Sequence, residues 1–414
     1  MARKAGNPKA LSYALTANSM AALFAGQPAQ ARVLASHAAS AAEQARDPWA
    51  LLHATSWQAN ATETWSSLAF ADLKRVGRER LARLGSPHTY LAKAAADEAS
   101  GYLAVGRWQQ CQQALRVALG SDPGAIGDVA ARLTAARLAS WQGRQSEAEA
   151  HLARAEELFT KASDFHNLDF DAVRAEVKLA AGNAEAAYGA AMTGLSADGQ
   201  PPTMCEWLAP LAARALADLL QISRDQKCPS TDLLARTESL VANFPSVLRE
   251  PGTHTEHYDR HVEAFTRLYG AEVGRAFQSA GNAHQWIQAA DACQAATLPW
   301  EEAYSCWRAA ESLLLHGHSQ RALASTVLRR GVALAEELHA GPLQECLRKL
   351  SMGARITVDK PAAPSPEPNQ VELTGLTPRE REILEFVVAG RTYAEIAASL
   401  VISEKTVSTH ISHL

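Results

Sequence analysis

A short turn that returns at a near-constant interval constrains this chain more than any other feature. Gly-x-x-x-x-Ala occurs at Gly26–Ala31, Gly143–Ala148 and Gly317–Ala322, with looser versions at Gly106, Gly182 and Gly281. Gly106 to Gly143 is 37 residues, Gly143 to Gly182 is 39 and Gly281 to Gly317 is 36. The longer gaps, 80 and 99, approximate two and somewhat under three such units. A glycine can end a helix in the left-handed conformation, and a small alanine lets the next helix pack back closely. The apolar residues between these turns step by three and four, as on one helix face. Examples are Ile126, Val129, Leu133 and Ala136, then Ala148, Leu152, Ala155 and Phe159. Ala303, Trp307, Ala310 and Leu314, followed by Leu328, Val332, Ala335 and Leu338, repeat the pattern late in the chain. Alternating β-branched and polar runs, the signature of strands, are scarce. The expected fold class is all-α.

A unit of about 34–40 residues holding two antiparallel helices resembles the tetratricopeptide repeat or a close relative, best at Gly143 to Ala148. On that resemblance residues 1–356 form a tetratricopeptide-like helical-repeat solenoid, with a concave surface for a peptide, a protein partner or a small ligand. A non-repeating helical domain is the alternative. Loops near Asp198–Pro202, Lys227–Ser230 and Phe244–Thr255 are expected to interrupt the regularity. Trp49, Trp57 and Trp65 read as inter-helix packing in preference to an aromatic binding patch.

A formal charge of −4 over 414 residues argues against a protein that coats nucleic acid or anionic membrane through bulk electrostatics. Cys111, Cys205, Cys228, Cys293, Cys306 and Cys346 lie far apart and form no C-x-x-C pair, so they read as buried thiols in a reducing compartment. Arg3, Lys4 and the small residues around Ala29–Ala31 hint at a signal peptide, but Ser12, Tyr13, Thr16, Asn18 and Ser19 interrupt any apolar stretch. No run of about 18 apolar residues provides a membrane span. A cytoplasmic protein without membrane contact is expected.

Two candidate chemistries find little support. His254, His257 and His261 make the densest cluster of potential metal ligands, and the latter two stand four apart on a helix. Their order is not H-E-x-x-H, and a solvated helix start is the preferred reading. No phosphate-binding G-x-x-x-x-G-K-[ST] and no G-x-S-x-G occurs. No metal, cofactor or catalysis is expected.

Composition changes after Ile356. Four prolines, Pro361, Pro364, Pro366 and Pro368, read as a stiff interdomain linker over residues 357–371. Beyond it, Thr377-Pro378-Arg379-Glu380 combines an N-cap hydroxyl, a proline at the first helical position and a glutamate three residues on. Ile383, Leu384, Val387 and Val388 supply an apolar face, and Gly390 a stop. Thr392 to Glu395 repeats the capping box ahead of Ile396, Ala397 and Leu400. Ser403 caps a third helix carrying Val407, Ile411 and Leu414. Helix, short turn and helix, with small Ala397 at the crossing, is the geometry of a helix-turn-helix.

Leu376–Leu384 (LTPREREIL), Gly390–Ala397 (GRTYAEIA) and Leu400–His410 (LVISEKTVSTH) resemble the LuxR-type helix-turn-helix. The resemblance implies a DNA-binding domain over 372–414 whose helix from Ser403 onward enters the major groove. It implies Arg391, Thr392 and Tyr393 near backbone phosphate, and Lys405, Thr406, Ser408, Thr409, Ser412 and His413 on or beside the DNA-facing surface. Ser408 and Ser412 stand where the family often carries lysine, so a weaker and less salt-sensitive contact is expected. From Val371 to Leu414 only Arg379, Arg381, Arg391 and Lys405 are basic, against six acidic residues. The family's fourth helix, a common dimer contact, has no counterpart before Leu414. The domain is therefore read as incomplete, its duplex DNA binding as weak, and a homodimer as requiring that helix.

Glu302–Leu314 (EAYSCWRAAESLL), Gly341–Leu343 and Ala354–Ile356 resemble large LuxR-type regulators with a helical-repeat middle. Those proteins usually begin with a P-loop ATPase domain. None is present in these residues, so ATP-driven switching is not carried over, and a short member or part of a longer chain are both open. The expected function is a bacterial transcriptional regulator in which a ligand or protein bound to the repeat domain alters presentation of the DNA-binding tip. The alternative is a protein-interaction scaffold whose truncated tip no longer binds DNA.

Overall fold

A computed structural model describes residues 6–62, 67–121, 124–161, 169–196, 205–249, 255–279, 282–315, 320–356, 378–388, 390–400 and 402–413. The proline-rich linker, Thr377, Trp65, His254, Gly281, Gly317 and the Asp198–Pro202 loop lie outside them. Among the described residues the chain is helical and contains no strand. No helix there is long and apolar enough to cross a membrane.

The array opens with α1 (Pro8–Phe24), α2 (Pro28–Ala45), α3 (Pro48–Thr62) and α4 (Leu68–Arg83). It continues through α5 (His88–Ala104), α6 (Trp108–Leu119), α7 (Gly124–Gln142), α8 (Gln145–Lys161), α9 (Phe170–Ala180) and α10 (Ala184–Leu195). After a single 3-10 turn at Cys205–Trp207 come α11 (Leu208–Asp225), α12 (Thr231–Asn243), α13 (Glu256–Ala276) and α14 (Asn282–Ala295). Helices α15 (Pro299–Leu315), α16 (Arg321–Leu338) and α17 (Gly341–Ala354) complete it. The C-terminal tip holds α18 (Pro378–Val388), α19 (Tyr393–Leu400) and α20 (Glu404–His413).

Two kinds of punctuation set these boundaries. Pro8, Pro28, Pro48 and Pro299 each stand at the first position of a helix, where the missing N–H would have had no intrahelical partner. Gly26, Gly106, Gly143 and Gly182 follow helices with φ between 71° and 83°. Turns this short force successive helices to fold back on one another. Each helix packs on the next, and odd-numbered neighbours also touch from α1 through α13, which makes two layers.

The array also meets itself. Helix α17 packs against α7, and a Cβ added at Gly143 would lie 3.1 Å from the ring of Pro342. Trp300 of α15 stacks on Trp141 of α7 with centroids 4.9 Å apart and planes 8° from parallel. One continuous core accordingly runs from Ala71 in α4 to Ile356. Much of it is alanine, which brings helix backbones close at little cost in side-chain entropy.

Apolar positions read from periodicity fall largely where expected. Val129, Leu133, Ala136, Ala148, Leu152 and Ala155 are buried together, with Phe159 at the margin. Trp57 meets Phe24 edge-on at 6.1 Å, and Trp49, though 43% exposed, leans on Tyr90 at 5.8 Å, so both serve inter-helix packing. Three expectations need correction. Cys228 is exposed, because it sits in the turn after α11 and not on a helix face, and Cys346 in α17 is only half-buried. His261 is fully buried, because it lies one turn inward from the solvated start of α13 and meets Glu206 at 2.8 Å. Val387 is 37% exposed; Phe386, one position earlier, turns inward in its place.

Candidate nucleic-acid interface

The three tip helices share a small core. Ile383, Ile396 and Val407, one from each helix, are completely buried, with Ala397 beside them. Phe386, Leu400, Ile402 and Ile411 pack around this centre. Small Ala397 is what allows α19 and α20 to cross closely. The Arg379 guanidinium donates to the Leu400 carbonyl at 2.8 Å and ties α18 to the end of α19.

Capping fixes both turns. Gly390, at φ 71°, sends its N–H to the Val387 carbonyl and lets the chain reverse after α18. Thr392 and Glu395 form a complete capping box. The Thr392 amide donates to Glu395 Oε2 at 2.9 Å, and the Glu395 amide donates to Thr392 Oγ1 at 3.3 Å. At the next turn Ser403 Oγ accepts from the Thr406 amide at 3.1 Å, and the Ile402 amide returns to the Ala397 carbonyl at 2.9 Å. Caps of this kind contribute about 1 kcal/mol each.

With Val407 held inward, α20 turns Lys405, Ser408 and Thr409 to solvent. These positions are spaced three and four apart and so share a face. Thr409 Oγ1 donates back to the Lys405 carbonyl at 2.9 Å, while Thr406 is half-buried with its hydroxyl 2.7 Å from Ser403 Oγ. Arg391, Thr392 and Tyr393 are exposed at the start of α19. Ser412 and His413 lie on the last turn of α20, and their side chains fall outside the described set. Of the residues expected from sequence to meet DNA, Arg391, Thr392, Tyr393, Lys405, Ser408 and Thr409 are exposed, at the start of α19 and along α20, with Thr406 serving partly as a cap.

The tip also touches the helical array, a contact that sequence reasoning missed. Arg154 of α8 places Nη2 2.7 Å from Glu395 Oε1 and Nη1 2.9 Å from Glu157 Oε2. Arg391 reaches the same Glu157 oxygen at 3.5 Å. Arg132 of α7 donates to the Gly390 carbonyl. Burial works to raise the Glu395 carboxyl, but the Thr392 amide and hydroxyl and the charges of Arg154 and Arg391 outweigh it and hold it below the usual range. No signal in a single sequence pairs α8 with a helix so far along the chain.

Residues 374–414 match the family described as bacterial regulatory proteins, luxR family. The C-terminal tip is a LuxR-family helix-turn-helix domain. Over 38 residues, 9% of this chain, it is 58% identical to the spore germination protein GerE of Bacillus subtilis (strain 168), covering 51% of that protein. Over 48 residues, 12% of this chain, it is 46% identical to the uncharacterized transcriptional regulatory protein YhcZ of the same organism, covering 22% of it. The chain therefore spans about half of one curated relative and under a quarter of the other.

Proposed function

We propose that this chain is a DNA-binding transcriptional regulator of the LuxR type, acting in the cytoplasm without catalysis of its own. Helix α20 enters the major groove with Lys405, Ser408 and Thr409 toward the bases. Arg391, Thr392 and Tyr393 approach phosphate, and Ser412 and His413 extend the contact along the last turn. The observation that carries this reading is the exposed polar face of α20 opposite buried Val407, in a domain that matches the luxR family. The printed description of one relative as a transcriptional regulatory protein supports it.

Residues 1–356, read as a tetratricopeptide-like array, sense a ligand or protein partner and govern presentation of the tip. Support comes from the contact of α7 and α8 with the tip, which sets Glu157 3.5 Å from Arg391, a carboxylate that would compete with phosphate for that guanidinium. An effector that shifts this contact shifts the population of tip open to DNA.

Selection from a randomised duplex pool by the 414-residue protein tests the DNA-binding reading. Enrichment of one sequence motif, lost in Lys405→Ala, is expected. A pool that stays random, alongside stable capture of protein partners, would favour an interaction scaffold instead.

A further inference from the structure

We infer that Thr409 reads the C5-methyl group of a pyrimidine in the major groove; this rests on the DNA-reading role proposed above and names one feature of the sequence read. Thr409 is exposed midway along α20, one turn from Lys405 and on the face opposite buried Val407. Its hydroxyl is turned inward. Thr409 Oγ1 donates to the Lys405 carbonyl at 2.9 Å, within its own helix. A hydroxyl has one proton to give, so Thr409 keeps no donor for a base. The Cβ of threonine carries two groups, and with the oxygen turned back on the helix the methyl is the part left to meet a groove.

The neighbouring side chains are employed differently. Thr406 is half-buried, with its hydroxyl 2.7 Å from Ser403 Oγ at the cap of α20. Val407 and Ile411 belong to the core of the tip. Among the described residues of α20, Thr409 alone combines a methyl group with an exposed position. In the major groove thymine shows an O4 acceptor and a C5-methyl, and a threonine methyl is one of the groups that can pack against the latter. The O4 acceptor asks for a donor that Thr409 has already spent on Lys405, which leaves the methyl as the point of contact. Packing the two methyl groups together removes apolar surface from water on both sides. 5-Methylcytosine carries the same group in the same place and is the second source of this chemistry.

The test uses the 414-residue protein and a duplex selected from the randomised pool. Uracil replaces each thymine in turn, and 5-methylcytosine each cytosine, so that only the C5-methyl changes and the protein is untouched. At one position, loss of the thymine methyl is expected to weaken binding about fourfold, the effect of one methyl-sized contact. If that position carries cytosine instead, methylation should strengthen binding by a similar factor and identifies the second source. Thr409→Val, which keeps a methyl, should retain the discrimination, and Thr409→Ser should lose it, with thermal melts confirming that both variants are folded. Binding indifferent to the C5-methyl at every position, or discrimination that persists in Thr409→Ser, overturns the inference. An enriched motif that is lost in Lys405→Ala but shows no methyl dependence refutes the inference and leaves the DNA-reading role standing. A pool that stays random removes both.

Discussion

Arg154, on a helix of the array, lies 2.7 Å from Glu395, the carboxylate that caps the first helix of the helix-turn-helix turn. Glu395 divides its two oxygens between two tasks: Oε2 holds the Thr392 amide and Oε1 meets Arg154. The Arg154 side chain is 9% exposed and Glu395 33%, so the pair is partly shielded from water. A pair of this kind contributes up to about 1 kcal/mol after screening.

Arg154→Ala is therefore expected to loosen the tip without disturbing its fold, since the capping box stays intact. If docking competes with DNA, duplex affinity rises about fivefold, the equivalent of about 1 kcal/mol. Fluorescence anisotropy with the selected duplex measures it. Unchanged or weaker binding would show that the docked contact does not restrain the tip.

The salt dependence of binding follows from the charge of the reading surface. Lys405 and Arg391 are the basic residues of the proposed surface, and hydroxyls occupy neighbouring positions. With Lys405 proposed toward the bases, the phosphate contact of Arg391 gives a slope of about −1 in log K against log salt. A slope steeper than about −5 would require cations elsewhere on the array.

Gly143 tests the closure of the array. Its φ of 83° lies in the left-handed region, and an added Cβ meets Pro342 at 3.1 Å. Gly143→Ala should destabilise the fold by about 1–2 kcal/mol from backbone strain alone. Denaturant unfolding reads this as a lower midpoint with unchanged slope. A variant as stable as the parent would contradict the left-handed turn at Gly143 that lets α8 fold back on α7.

Buried acids give stability a pH dependence of definite sign. Burial raises Glu301 from 4.5 to about 7, opposed by the charge of Arg137. Between these values the folded chain keeps a proton that the unfolded chain has released, so stability falls as pH rises from 4.5 to 7. The full effect is on the order of 3 kcal/mol. His261 runs the other way. Burial, with Arg137 adding, lowers it to about 3, so its contribution is lost as pH drops from 6.5 to 3, and between 4.5 and 6.5 it opposes that of Glu301. Glu301→Gln should flatten the alkaline side of the stability profile and leave the acid side in place. An unaltered alkaline side would remove Glu301 from the account.

Local signals carried most of the fold into the sequence. The turns at Gly106, Gly143 and Gly182, the capping box at Thr392 and the cap at Ser403 are interactions within a few residues, legible without tertiary knowledge. Pro8, Pro28 and Pro48 are equally local helix starts, a signal that hydrophobic periodicity does not contain. Val387 shows the limit of that method, because the inward arc of an 11-residue helix shifts by one position according to where its neighbours lie. Non-local relationships left no trace. The Trp141–Trp300 stack, the Glu206–His261 pair and the Arg154–Glu395 contact each join residues that only the finished array brings together.

The most direct test of the central claim is the ratio of affinities for a selected duplex and its scrambled counterpart, measured with the 414-residue protein at fixed salt. Specific readout by α20 predicts a clear preference for the selected duplex, reduced by about 1–3 kcal/mol when a base-contacting residue such as Ser408 or Lys405 is replaced by alanine. Equal affinity for both duplexes, unmoved by either substitution, would contradict a DNA-reading role for the tip.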